Sequence, residues 1–317
     1  MKALLILLVF LFSISSMSAQ DNWEIINTGI NEHLHDIEFI NDSIGFVYSY
    51  GTGNIYQTRN AGASWEIIKQ TDSIYYEQIQ FVNSKTAWIC GERGSLLKTS
   101  NGGNSWEDIS IKDNNSLLLY GMYFLNDSTG YISGAEIKDR KMLPKAFTTR
   151  DGGISWTEIF EDIPHMILNI QENGNFLFAT GSNFINRIKP KTKDWEYVFR
   201  DTLRSTGQIR DLKFNDKITG IAVSFNGNVL ITNDGGNSFS SKRITKNRLR
   251  SIAFIGKDKW IAVGDNNNTD GAVLYVSENN GDSWQKFNDF PDIHRITLTN
   301  KHIWIVGKNG LIAKQKR

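Results

Sequence analysis

The sequence predicts an all-β fold, a seven-bladed β-propeller of four-stranded blades, closed by an N-terminal strand that completes the last blade. Three observations predict it. A turn motif recurs at near-constant spacing, short strand patterns stand at fixed offsets from each turn, and the last repeat lacks a piece that is found at the other end of the chain.

The motif is Thr/Ser-x-Asn/Asp-x-Gly-x-Ser-Trp/Phe, seen as TRNAGASW at 58–65, TSNGGNSW at 99–106, TRDGGISW at 149–156, TNDGGNSF at 232–239 and SENNGDSW at 277–284. DNW at 21–23 and KTKDW at 191–195 are degenerate members. The aromatic positions are then Trp23, Trp65, Trp106, Trp156, Trp195, Phe239 and Trp284, with spacings of 42, 41, 50, 39, 44 and 45 residues. A repeated structural unit of about forty-four residues accounts for this regularity.

Each unit repeats its strand signals as well. An apolar-alternating run (HDIEFI, EQIQFV, YGMYFL, IRDLKF, RSIAFI) precedes a strand ending in Gly, such as AWICG at 87–91, GYISG at 130–134, WIAVG at 260–264 and IWIVG at 303–307. A third strand (SLLKTS, NVLITN, AVLYVS) leads into the turn. Four short strands with turns between them make a propeller blade. Trp88, Trp260 and Trp304 are read at matching points of the second strand, so all nine tryptophans have structural places. The last unit, from about His294, supplies three strands and stops at Lys314, whereas NWEII near the start is the outer strand it lacks. Placing that segment in the last blade removes an exposed edge.

Lys2, the apolar run at 3–12 and the small polar residues at 13–20 read as a cleavable export signal over 1–19, leaving 20–317 as the propeller domain. Ten apolar residues are too few to cross a bilayer, which needs roughly 20. The expected product is exported, periplasmic or extracellular, monomeric and without stable membrane insertion. The only cysteine, Cys90, sits in an apolar strand, so no lipid-accepting cysteine follows the apolar run and no internal disulfide forms. Of 35 basic and 34 acidic residues only Lys2 falls in the leader, so the mature charge is near zero. That argues against a nucleic-acid ligand, which needs surplus positive charge.

The Asp-bearing turns are expected to be structural. Asn60, Asn101, Asp151, Asp234 and Asn279 can accept backbone N–H bonds across a tight hairpin, with glycine supplying positive φ and the aromatic filling space between sheets. Each offers a single oxygen-bearing group, and three of the five are Asn, so no metal or other cofactor is expected there.

Candidate binding residues lie where the innermost strands begin. Aligning those strands on their apolar pairs places His35, Glu77, Tyr120, Met166, Arg210, Arg250 and His294 at one equivalent position, one per blade. Four of the five histidines (His33, His35, His165, His294) fall in this segment type. A three-histidine metal site would need residues from blades one, four and seven. Arg295 and Arg93 (in GERG at 91–94, beside Glu92) join the candidates. The insertion AEIKDRKMLPKAF at 135–147 and the loop DNNNTDG at 265–271 add polar material to the same face. Arginines on blades five to seven favour a carboxylate or phosphate, and the acids Asp36 and Glu77, from the first two blades, need not cancel them. His35 and His294 are expected to add positive charge below about pH 6.5.

The turn itself looks like the Asp-box (BNR repeat) of bacterial sialidases and other secreted propellers. The combined pattern, closest in GERGSLLKTSNGGNSW at 91–106, resembles the photosystem II assembly and stability factor propellers and their exported bacterial relatives. That resemblance implies a non-catalytic scaffold, an assembly factor that grips another polypeptide partly through arginines, here Arg93, Arg210, Arg250 and Arg295. The expected partner is a protein, or an acidic peptide or glycan, held at the central mouth. The alternative is a sialidase-like or other glycan-acting hydrolase built on Arg210, Arg250, Arg295, Tyr120, Glu77 and Asp36. It lacks the Arg-Ile-Pro signature and has seven blades where sialidases have six.

Overall fold

The structure, a computed structural model, describes residues 23–70, 74–111, 115–159, 165–189, 195–266, 271–287 and 290–317. The leader read at 1–19, Gln20 and most of the loop at 265–271 lie outside them.

The described residues form seven four-stranded antiparallel sheets, each with its strands in sequence order except one. That sheet closes the ring: Glu24–Ile25 pairs with Ile312–Lys316, placing Glu24 opposite Lys314 and Ile25 opposite Ala313. The inner strands are His33–Phe39, Tyr76–Phe81, Leu117–Phe124, Ile167–Asn173, Ile209–Phe214, Arg248–Phe254 and Ile293–Leu298, for blades 1 to 7 in turn. Trp23 packs into the apolar layer between blades 6 and 7 and meets Phe290 edge-to-face at 5.8 Å.

The core is seven such layers, each made from facing sides of adjacent blades. Second strands are buried on both sides, as in Ala87–Gly91 and Gly220–Ser224, and read as continuous apolar runs for that reason. Trp88, Trp260 and Trp304 are fully buried, but their places do not all match. Trp88 pairs with Gln80 and Trp304 with Thr297, whereas Trp260 pairs with Phe254, one residue earlier in register. Because side chains alternate across a sheet, that shift turns Trp260 back toward blade 5, while Trp88 and Trp304 face forward to blades 3 and 1.

The Asp-bearing turns join third and outer strands on the face opposite the mouth. In each, the Thr or Ser hydroxyl accepts the N–H of the glycine four residues on at 2.8–2.9 Å, and the Asn or Asp oxygen accepts the following Ser N–H at 2.9–3.0 Å. Gly103 shows why glycine is needed: its φ is 78°, and a Cβ there would stand 2.2 Å from the Phe46 ring of the preceding blade. The repeat aromatics pack in the same layers, Trp106 against Phe46 at 6.0 Å and Trp156 against Phe124 at 6.1 Å.

Blade 3 departs from its neighbours. The insertion read as a loop is a β-hairpin: Gly130–Lys138 runs out, Asp139 and Arg140 turn with φ of 50° and 60°, and Lys141–Thr149 returns in continuous register. Two successive positive φ values make the turn twist with its strands, which keeps the arm straight.

Candidate mouth at the inner-strand bulges

Every inner strand carries one register shift, and all seven stand at the same level. The shifts fall at Leu34/Asp36, Tyr76/Gln78, Leu119/Gly121, Ile167/Asn169, Ile209/Asp211, Leu249/Ser251 and Ile293/Arg295. A bulge leaves one residue outside the ladder and re-aims its side chain. The residues so released are His35, Glu77, Tyr120, Leu168, Arg210, Arg250 and His294, and all seven line one cavity at the centre of the ring. Six are the residues that the strand alignment singled out. Blade 4 differs because Glu172 takes the place that Phe39 or Phe81 holds elsewhere, so the apolar pair used for alignment was displaced by two and pointed to Met166 instead of Leu168.

In blades 1, 2, 5, 6 and 7 the residue after the bulge belongs to a second tier that ties blades together. Asp36 accepts the Ile37 N–H at 2.8 Å and reaches the Ile79 N–H of blade 2 at 3.4 Å. Gln78 accepts the Met122 N–H of blade 3 at 2.8 Å, and Asp211 accepts the Ser251 hydroxyl and Ile252 N–H of blade 6 at 2.8 and 3.1 Å. Asn169 also faces the cavity, 7 % exposed, with its Oδ1 unpartnered. Sequence reasoning missed Gln78 and Asn169, although both stand one place beyond the ring.

The arginines do not stand apart from the acids. Arg210 reaches across the mouth to Glu77 at 3.6 Å, Arg250 pairs with Asp265, and Arg295 bridges Asp36 at 2.9 Å and Asp211 at 3.7 Å. Acids from blades 1 and 2 therefore do offset guanidiniums from blades 5 and 7, contrary to expectation. Burial pushes Glu77 up to about 7 even against Arg210, and pushes Glu38, deeper in the channel beside Asp36, up to about 7 as well. Burial first, then neighbouring cations, lowers His35 well below its ordinary value and His294 to about 3. Both histidines are thereby held toward their neutral forms, against the expectation that they add charge below about pH 6.5, whereas burial moves Glu77 toward neutrality.

Two chemistries divide the rim. Around Phe225, in the turn between second and third strands of blade 5, stand the guanidiniums of Arg210, Arg248 and Arg250 at 5.3, 5.5 and 5.0 Å. Arg248 is exposed and carries no carboxylate partner among the described residues. On the opposite arc His35 stacks on Tyr50 at 5.3 Å and meets His294 edge-on at 5.6 Å, while Tyr50 meets Tyr75 at 4.5 Å. Phe225, Tyr50 and Tyr75 were not read from the sequence; Phe225 was legible as the residue after Ser224, which stands where other second strands end in Gly. Arg93 is exposed at a blade 2 turn with φ of 58° and does not line the cavity. His165 lines a separate cleft against Phe184, and His33 is exposed at its strand end. No metal-binding group of three or more ligands occurs among the described residues.

Against this geometry, residues 15–206 match the family model of the photosystem II assembly factor YCF48, more than half of the chain. The chain belongs to that family. It is 24% identical over 287 residues to the photosystem II assembly lipoprotein Ycf48 of Prochlorococcus marinus, covering 86% of this chain and 81% of that one. Among solved structures it resembles YCF48 bound to a D1 peptide, with a TM-score of 0.73 at 17% identity over 93% of this chain and 97% of that one. A streptogramin B lyase is as similar in shape, with a TM-score of 0.72 at 14% identity over 94% of this chain and 98% of that one. These structural likenesses carry the fold alone.

Proposed function

We propose that this chain is an exported, non-catalytic assembly scaffold of the YCF48 family that grips a segment of another polypeptide at its central mouth. One observation carries the reading. Seven bulges aim seven side chains of five kinds into a single cavity, with a guanidinium arc around Phe225 facing an aromatic arc around Tyr50. An extended segment carries both an oxyanion for the first arc and apolar bulk for the second, which a neutral sugar does not. The YCF48 structure bound to a D1 peptide supports a polypeptide ligand, and nothing in this chain specifies photosynthesis.

The hydrolase alternative brings its whole residue set to the same cavity, but there Glu77 and Asp36 already engage Arg210 and Arg295. A photo-crosslinker at Tyr120, used in the native envelope, is expected to give a discrete protein adduct that Arg210→Ala/Arg250→Ala abolishes. A fluorogenic sialic-acid substrate assay is run beside it. Turnover that disappears with Arg250→Ala would overturn the binding-only reading.

A further inference from the structure

We propose that the mouth face of blades 3 to 5 rests on an anionic lipid surface through two protrusions, the blade 3 hairpin tip and the loop at 201–206. This rests on neither the mouth's ligand nor the scaffold reading.

The second strands of blades 2, 4 and 7 end level with Gly134, at Gly91, Gly181 and Gly307, as their cross-strand partners show. Blade 3 alone continues for four more residues, Ala135–Lys138, which carries the tip roughly 13 Å farther out. The register puts Ile137 opposite Met142 on one side of this arm and Leu143 opposite Glu136 on the other. All three apolar side chains are exposed, at 46%, 49% and 38%. Around them Lys138, Arg140 and Lys141 are exposed and without carboxylate partners among the described residues, while Lys145 pairs with Glu158.

The second protrusion repeats that combination. Asp201 is saturated internally, accepting the Leu203 and Thr206 N–H groups at 3.0 and 2.7 Å and the Ser205 and Thr206 hydroxyls at 2.8 and 2.7 Å. The turn it braces is held on the mouth side by Asn226, whose Nδ2 donates to the Ser205 carbonyl at 2.9 Å. It presents Leu203, 88% exposed, between Arg200 and Arg204, both exposed and without carboxylate partners among the described residues.

Apolar side chains on both sides of a projecting arm decide the occupant. A rigid protein partner covers one side, whereas a headgroup layer closes around a tip from every side, and its negative charge matches the surrounding lysines and arginines. No helix among the described residues is long and apolar enough to cross a membrane.

The test uses flotation of the purified protein with vesicles of phosphatidylcholine alone and with 30 mol% phosphatidylglycerol at low salt, a composition chosen to give about a third of the lipids a negative charge. Binding only to the anionic vesicles is expected, weakening as salt rises. Ile137→Asp/Met142→Asp and Arg140→Glu/Lys141→Glu should each lower partition on the order of tenfold or more. Circular dichroism and melting of these exposed-site variants should match the parent. A second readout places an environment-sensitive probe at Met142→Cys, since Cys90 is buried; blue-shifted emission with anionic vesicles supports the contact. Equal partition of parent and variants, or no anionic binding at all, overturns the proposal. So does a probe that ignores vesicles yet shifts with soluble envelope protein, which would assign the arm to a protein partner.

Discussion

The two faces of this ring put carboxylates to opposite uses. At the turns, hydrogen bonds from the Ser155 hydroxyl and N–H and from Thr149 hold Asp151 down to about 2, and Asp234 is lowered to about 2 because Ser238 and Thr232 outweigh its slight burial. At the mouth and in the channel, burial pushes Glu77 and Glu38 up to about 7. Groups of the first kind support folding at neutral pH and lose that contribution only as acid approaches pH 2. Groups of the second kind oppose folding above pH 7 and do so progressively less as pH falls to their ordinary range near 4.5. The repeated face is optimised for the fold, and the varied face holds charge in places a fold alone would leave apolar. The proposed binding function accounts for that contrast.

The comparison breaks first at closure. Removing residues 1–29 takes away Trp23 and the Glu24–Ile25 strand and exposes the edge of Ile312–Lys316. The expected loss is at least about 3 kcal/mol, read by calorimetry as a melting temperature lower by roughly 6 °C or more. Equal melting temperatures would show that the ring does not depend on its terminal strand. The acids give the next largest effect. Glu38→Gln/Glu77→Gln removes two groups whose ionisation disfavours the native state, so the parent's fall in stability between pH 4.5 and 7 should flatten, with a relative gain on the order of 2 kcal/mol at pH 8 and none at pH 4. Denaturant melts across that range measure it, and parallel curves for parent and variant would contradict the contrast between faces. The smallest effect belongs to a single turn: Thr149→Val deletes the acceptor for the Gly153 N–H, at a cost of about 1 kcal/mol in the same melts, with no change in mouth binding.

Much of the ring was legible because its signals are local. The turn motif fixes a hairpin by hydrogen bonds within eight residues, and five full copies with two degenerate ones at near-constant spacing leave one architecture. The mouth was legible only in outline. Its positions follow from strand alignment, which found six of the seven released residues and failed at blade 4, where Glu172 replaces the apolar residue that anchors the register. Trp260 failed for the same reason, since one residue of offset reverses a side chain. The pairings of Arg210 with Glu77 and Arg295 with Asp36 join residues more than a hundred positions apart, and no periodicity encodes which side chains meet across a channel. Without those contacts the arginines read as free and the histidines as titratable.

The seven bulges have a further meaning for how such a molecule can change. A released residue takes no part in the strand ladder, so the ladder's register does not dictate its identity. Seven such positions, occupied here by histidine, glutamate, tyrosine, leucine and arginine, amount to a keypad in which Glu77 and Arg210 are paired and have to be reset together. Selection, or a designer working with randomised codons at 35, 77, 120, 168, 210, 250 and 294, can vary the lining of this cavity while the strand ladders beneath it stay the same.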